Sequence, residues 1–382
     1  MSAILPGATI GILGGGQLGR MTAMAARSLG YRIQVMDPDP SCPARFVVDA
    51  CFEGSWDDAR AAADLARGCD VITLEIEQIS VASLRAAEKY APVRPGVAMM
   101  EIIQDRILQK NWLVEHGFPA GEFRTIQSEA ELQAAIVALG GRCFVKSARG
   151  GYDGRSQVKI GFDETIGPSE EEARGAWRLL GQRPAVAEKA LDLEKEISVM
   201  VARAPNGELK SYPSAANHHE HQILIWSVIP SSIPNELEAK AQEVSRRIAE
   251  QMNLEGVLAV EMFLTKDKKL LVNELAPRPH NSYHASERAC ATSQFEQIVR
   301  AVCDLPLGDV SIVKAAAIAN LLGDLWAERE PRFDRALSVP GVRLHLYEKH
   351  VPRAGRKMGH LSAIGETPEE AVDRVLQAKA LL

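Results

Sequence analysis

The run ATIGILGGGQLGRM, positions 8–21, constrains this chain more than any other segment. A short apolar strand ends in Gly14, Gly16 and Gly19. Leu18, Met21, Ala25 and Leu29 then recur at helical spacing, and a second strand, Tyr31 to Met36, stops at Asp37. A strand, a helix with one apolar face and another strand in such close succession make a βαβ unit, whose two strands run parallel. A third strand, Asp70 to Glu75, follows an alanine-rich helical stretch from Asp57 to Ala66. The first hundred residues therefore read as an open, mostly parallel sheet with helices on its faces.

The glycine pattern G-x-G-x-x-G at the mouth of a helix has two readings. It fits a dinucleotide site, where a pyrophosphate meets the helix N-terminus and Asp37 holds a ribose, and so an NAD-dependent oxidoreductase. It fits equally a tight turn that lets strand and helix pack closely, or a seat for some other polar ligand. Composition removes other classes. With 44 Lys and Arg against 50 Asp and Glu, the net charge of −6 argues against nucleic acid as the main partner. No apolar run reaches the ~18 residues of a membrane span, and the first residues lack the pattern of a secretory leader, so a cytoplasmic protein is expected. The 6 cysteines are scattered without C-x-x-C spacing and read as reduced thiols.

The 382 residues predict two or three domains. A helix over Gln104 to His116 carries Ile107, Leu108, Leu113 and Val114 as its apolar face. Ser128 with Glu131, and Ser169 with Glu172, form capping boxes for helices ending near Leu139 and Leu180. Strands follow at Ala185 to Leu191 and Glu196 to Ala204, with Asn206-Gly207 as a hairpin turn. A helix from Glu236 to Met252 comes next, and beyond about residue 308 a smaller appendix closes with a helix over Glu369 to Leu381.

Two segments carry chemistry. VLAVEMFLT-KDKK-LLVNELAP reads as a hairpin; centring its turn on Asp267 and Lys268 sets Thr265 opposite Leu270 and Glu261 opposite Glu274. Two carboxylates ~5 Å apart in apolar surroundings repel unless a cation lies between them, and Mg²⁺ fits that role. CFVKSARGGYDGRSQV places Lys146 on a strand ahead of Gly150, Gly151 and Gly154, a loop able to close over a triphosphate. It is not a Walker A sequence. The run NHHEH, Asn217 to His221, admits zinc, but a nucleotide contact is the better reading because no further ligand set accompanies it.

The blocks GGGQLGRM (Gly14 to Met21), FVKSARGGYDGRSQ (Phe144 to Gln157), NELAPRPHNS (Asn273 to Ser282), TSQFEQ (Thr292 to Gln297) and GRKMGH (Gly355 to His360) together resemble the ATP-grasp superfamily. Within it they are similar to the 5-(carboxyamino)imidazole ribonucleotide synthase family. The resemblance implies a mixed α/β and α+β chain: a Rossmann-like domain at 1–103, a linking helix and mobile lid at 104–184, and a large ATP-grasp domain at 185–382. It also implies a homodimer that uses ATP, Mg²⁺, bicarbonate and 5-aminoimidazole ribonucleotide.

The site residues it implies are these. Arg106 and Lys146 bind phosphates, Gly151, Tyr152, Asp153, Gly154, Arg155, Ser156 and Gln157 form the closing loop, and Glu188, Lys189, Ala190 and Leu191 read adenine. Glu196 holds ribose, His219 and Asn273 complete the nucleotide site, and Glu261 with Glu274 bind magnesium. Gln17, Glu75, Tyr152, Arg155, His280, Asn281, Lys349 and Arg356 meet the ribonucleotide, with Lys349 and Arg356 on its phosphate. Asp153 is the expected base and Arg278 the stabiliser of carboxyphosphate. Asp37 loses its cofactor role. Ser156 and Tyr283 stand where the family pattern has glycine, and Tyr283 is expected to reshape the pocket.

Overall fold

A computed structural model describes residues 2–150, 157–162 and 169–382. The expected loop residues Gly151, Tyr152, Asp153, Gly154, Arg155 and Ser156 lie outside the described residues. The chain forms two compact units, one of Met1–Met100, Glu196–Glu261 and Ala276–Leu382, the other of Glu101–Lys195 and Met262–Leu275.

The first hundred residues form the expected parallel sheet. Strands Thr9–Leu13, Arg32–Asp37, Ala50–Glu53 and Val71–Leu74 lie side by side in the order third, second, first, fourth. Ile10 pairs with Ile33 on one side and Val71 on the other. Burial of Ile10, Ile12, Leu13, Ile33 and Val35 stabilises this layer by about 1.5–3 kcal/mol per side chain. Helix Gln17–Ser28 buries Leu18 and Met21 as expected, but the rest of its apolar inner face is Ala23 and Ala26, whereas Ala25 and Leu29 are only partly buried. Strand Ala50–Glu53 gives no sequence signal because it is short and only partly buried.

The same unit contains a long, mostly antiparallel sheet. From Leu193–Arg203 it continues through Ala215–Glu220, Ile223–Ile229, Ala315–Leu322 and Lys357–Gly365 to Val342–Leu346. The residues beyond about 308 thus add three strands to this sheet, and helix Pro368–Ala380 packs on them. Ala315–Leu322 is buried on both faces, so it shows no alternation that would announce a strand.

In the second unit, Phe123–Ile126, Ala185–Lys189, Cys143–Ser147 and Gln157–Ile160 form an antiparallel sheet in that order. Ser128 and Ser169 cap helices Glu129–Ala138 and Glu170–Leu179 by accepting from the Glu131 and Glu172 N–H groups. Cys143 and Val145 join these helices in the core, so alternation puts Phe144 and Lys146 on the opposite face. Glu188, paired with Phe144, shares that face.

Two local expectations change. The charged hairpin turn contains an extra bulged residue: Lys268 adopts φ 64°, its N–H donates to Thr265 O, and Thr265 N–H donates to Lys269 O. Thr265 therefore faces Lys269 rather than Leu270, and the simple count that opposed Glu261 to Glu274 no longer follows from the turn. Helix Arg106–Glu115 is rotated from its apolar reading: Leu108 and Val114 are exposed, whereas Gln109 and Lys110 are buried. Gln109 accepts from Leu275 N–H, and Lys110 meets Glu188.

Candidate functional site

In the second unit the side chains on the lysine face form one electrostatic group. Glu188 receives Lys146 Nζ at 2.5 Å on one oxygen and Lys110 Nζ at 2.6 Å on the other. Burial alone would raise the Glu188 pKa, but the two ammonium groups outweigh it and hold the carboxyl at about 2. Burial lowers Lys110, with Glu188 opposing that shift. Two lysine side chains share this one carboxylate, an arrangement that suits a further anion such as phosphate. Lys146 also donates to Asn273 Oδ1 at 3.3 Å, and Arg106 Nη2 lies 3.4 Å from Glu274. The Arg106 N–H donates to Ala148 O, which joins the start of its helix to the end of the lysine strand.

Gln157 pairs with Lys146 at the far end of the segment 151–156. Lys189 and Ala190 continue from Glu188, their N–H groups donating to Glu122 O and Arg142 O, and the Lys189 side chain turns outward to Glu122. The strand ends at Lys189 rather than at the expected Leu191, which lies two residues beyond it.

The first unit decides the glycine turn. Glu75 follows the fourth parallel strand, and its two oxygens accept from Gly16 N–H at 2.5 Å and Gly19 N–H at 2.6 Å. Asp37 accepts from Gly15 N–H at 2.7 Å. The protein's own carboxylates thus occupy the helix N-terminus where a pyrophosphate would bind, and repulsion disfavours a dinucleotide there. Gly14 has φ 98°, and a Cβ on Gly16 would come within 2.4 Å of Glu75 Oε1, so both positions require glycine. Burial raises the Glu75 pKa, while the two N–H bonds and Lys349 oppose the shift. Beside this turn Gln17 Oε1 accepts from Lys349 Nζ at 2.7 Å, and Lys349 also donates to Lys357 O. Arg356 donates to Val351 O at 2.8 Å.

Elsewhere in that unit, His219 Nδ1 lies 2.9 Å from Glu196. Burial would lower the His219 pKa, but Glu196 and Glu261 outweigh it and raise the value. His280 Nε2 lies 3.0 Å from Glu261, and Arg278 Nε lies 2.7 Å from Glu77. Asn281 is buried with both its amide nitrogen and oxygen lacking a hydrogen bond. That unsatisfied amide is costly in the free protein and is a ready contact for a ligand. Tyr283 is core: its hydroxyl donates to the carbonyls of Ser198 and Pro213, and its ring packs edge-on against Tyr212. His218 stacks on Trp226 while His219 is engaged by Glu196, so the histidine run forms no ligand set among the described residues.

Lys110 and Glu77 are absent from the residues inferred from sequence. Polar Gln109 and Lys110 beside buried Leu113 were the available sign that the helix presents a polar face inward. Glu77 carried no local sign, because Arg278 is remote in sequence.

The parallel sheet, the lysine and carboxylate strands and the clamped glycine turn define an ATP-grasp enzyme. Residues 111–295 match the ATP-grasp domain, 7–104 the ribonucleotide synthetase preATP-grasp domain, and 316–374 the phosphoribosylaminoimidazole carboxylase C-terminal domain. The N5-carboxyaminoimidazole ribonucleotide synthase of Bacillus subtilis is 37% identical over 374 residues, 97% of this chain and 95% of that protein. Among solved structures, the Staphylococcus aureus N5-carboxyaminoimidazole synthetase complexed with ADP superposes with a TM-score of 0.90 at 34% identity, covering 99% of this chain and 98% of that one. The Aspergillus clavatus synthase in complex with ADP and 5-aminoimidazole ribonucleotide gives 0.88 at 30% identity, covering 98% of each chain. The chain belongs to the N5-carboxyaminoimidazole ribonucleotide synthase family. No helix among the described residues is long and apolar enough to cross a membrane.

Proposed function

We propose that this ligase carboxylates 5-aminoimidazole ribonucleotide with bicarbonate at the expense of ATP, forming N5-carboxyaminoimidazole ribonucleotide, ADP and phosphate in purine biosynthesis. ATP phosphorylates bicarbonate to carboxyphosphate, and the ribonucleotide amine takes the carboxyl group. The observation that carries this reading is the pair Lys110 and Lys146 sharing Glu188, which supplies buried positive charge for a nucleotide's phosphates. Arg106 and Asn273 extend that phosphate-binding role, and Gln157 ends the closing loop, whose Gly151, Tyr152, Asp153, Gly154, Arg155 and Ser156 are assigned on the resemblance. Glu188 to Leu191 meet adenine, Glu196 the ribose, and His219 holds Glu196 in place.

Glu261 and Glu274 are the proposed magnesium ligands; their hard oxygen donors suit that ion, and each lies beside a basic side chain, His280 and Arg106 respectively. When bound, Mg²⁺ offsets the charge of the triphosphate. Asn281 and His280 meet the ribonucleotide, Arg278, oriented by Glu77, stabilises carboxyphosphate, and Asp153 accepts the amine proton. Glu75 acts through the turn it clamps, positioning Gln17. On the same resemblance the working form is a cytoplasmic homodimer, which sedimentation of the purified protein checks for assembly.

The direct test is phosphate release from ATP by purified protein. Release that requires both bicarbonate and 5-aminoimidazole ribonucleotide is expected; no release with every substrate present overturns the proposal. Lys349 and Arg356 are assigned to the ribonucleotide phosphate, one as a point charge and one as a planar fork. Lys349→Ala is therefore expected to raise the KM for the ribonucleotide roughly 10–100-fold, the loss of one charge-assisted hydrogen bond. The KM for ATP should stay near wild type, and an equal rise in both would reject the assignment.

A further inference from the structure

Apart from the residues assigned above, one group in the first unit has the composition and spacing of a metal centre. Glu287 on the short helix Ser286–Ala289, His345 on strand Val342–Leu346 and His360 on strand Lys357–Gly365 each offer one ligand atom, and these atoms lie within 4.8 Å of one another. The histidines are direct cross-strand partners. Their rings stack at 5.1 Å with planes 14° apart, which places both imidazoles on the same face of the sheet. Glu287 approaches from the helix, its Oε2 3.9 Å from His345 Nδ1.

We infer that Glu287, His345 and His360 form a binding site for one divalent ion of the zinc class, distinct from the magnesium ligands proposed for catalysis. Two imidazoles and one carboxylate suit zinc, cobalt or nickel, whereas magnesium prefers oxygen alone. Tetrahedral zinc with bonds near 2.1 Å sets its ligand atoms about 3.4 Å apart, so binding requires the partly exposed His345 ring to turn out of its stack with His360.

The surroundings favour a metal over a purely packed histidine pair. His360 is fully buried, and Tyr347 Oη lies 2.8 Å from its Nδ1, a contact that fixes the ring's orientation. His284 stacks against His360 from the interior. The side chains of His345 and Glu287 remain 27% and 34% exposed, so an ion has access from solvent and water has room to complete its coordination. Arg288 and Arg343 lie near Glu287 and oppose a cation, so binding weaker than that of a closed structural zinc site is expected. A bound ion would brace the helix that follows Asn281 against the strand whose Lys357 O receives Lys349.

The test is titration of chelator-stripped, full-length protein with ZnCl₂ in the absence of nucleotide, followed by calorimetry, with the visible absorption of Co²⁺ as a second readout. One saturable site is expected. Because replacing buried His360 endangers folding, the partly exposed ligands are changed instead: Glu287→Gln and His345→Asn should each weaken binding at least ~10-fold. His218→Asn, in the other histidine cluster, should leave it unchanged. The absence of saturable binding, or unaltered binding in the Glu287→Gln, His345→Asn double variant, overturns the inference.

Discussion

Replacing Glu188 by alanine is expected to destabilise the protein by roughly 3–5 kcal/mol, because it leaves Lys110 and Lys146 in a largely buried setting without their carboxylate. The side chains of Lys110, Lys146 and Glu188 are only 6%, 12% and 12% exposed, so solvent does little to screen the loss. Urea unfolding at neutral pH measures it. A Lys110→Met, Glu188→Leu double variant removes a charge of each sign, and recovery of much of the lost stability would separate charge imbalance from lost packing. Acid provides a second check. The folded-state carboxyl, at about 2, lies below its ordinary value of 4.5, so its contribution is present above the ordinary value and fades as pH falls toward 2. The penalty of Glu188→Ala should shrink over the same interval. An alanine variant as stable as wild type at neutral pH would mean that this group does not hold the second unit together.

Much of the fold was legible because it is written in local patterns. The helical spacing after Gly19, the capping boxes at Ser128 and Ser169, and the alternation that separates Val145 from Lys146 each need only a few neighbouring residues. What could not be read depends on distant partners. The glycine turn looked like an anion seat until Glu75, more than fifty residues later, proved to occupy it. Helix Arg106–Glu115 buries Gln109 and Lys110 rather than Leu108 because Leu275 N–H and Glu188 satisfy those polar groups. In the hairpin one left-handed residue, Lys268, changes the count at the turn, and no feature of KDKK reveals it. Candidate site residues were legible by type, as lysines and carboxylates beside glycine, but their pairings were not. Arg278 with Glu77 and Lys349 with Gln17 arise only when segments remote in sequence meet in the first unit.

Glu274→Gln should lower ATP turnover roughly 10²–10³-fold, the scale expected when a group that stabilises developing phosphate charge is removed. The substitution keeps the side chain's size and deletes only its charge. Its structural cost should be small: Glu274 is 42% exposed and Arg106 lies 3.4 Å away, and an ion pair of that kind contributes about 0–1 kcal/mol. The melting temperature should consequently stay close to wild type while activity collapses, a division that a purely structural role would not produce. Metal dependence gives the sharper readout. If Glu274 is a magnesium ligand, the Mg²⁺ concentration for half-maximal turnover should rise and excess Mg²⁺ should recover part of the rate. Glu194→Gln, which removes an exposed partner of Lys268 in the same unit, is the control and should change neither property. Glu261→Gln should behave as Glu274→Gln does. Near wild-type turnover by the Glu274 variant at limiting Mg²⁺ would remove that carboxylate from the metal site and leave Arg106 as its principal partner.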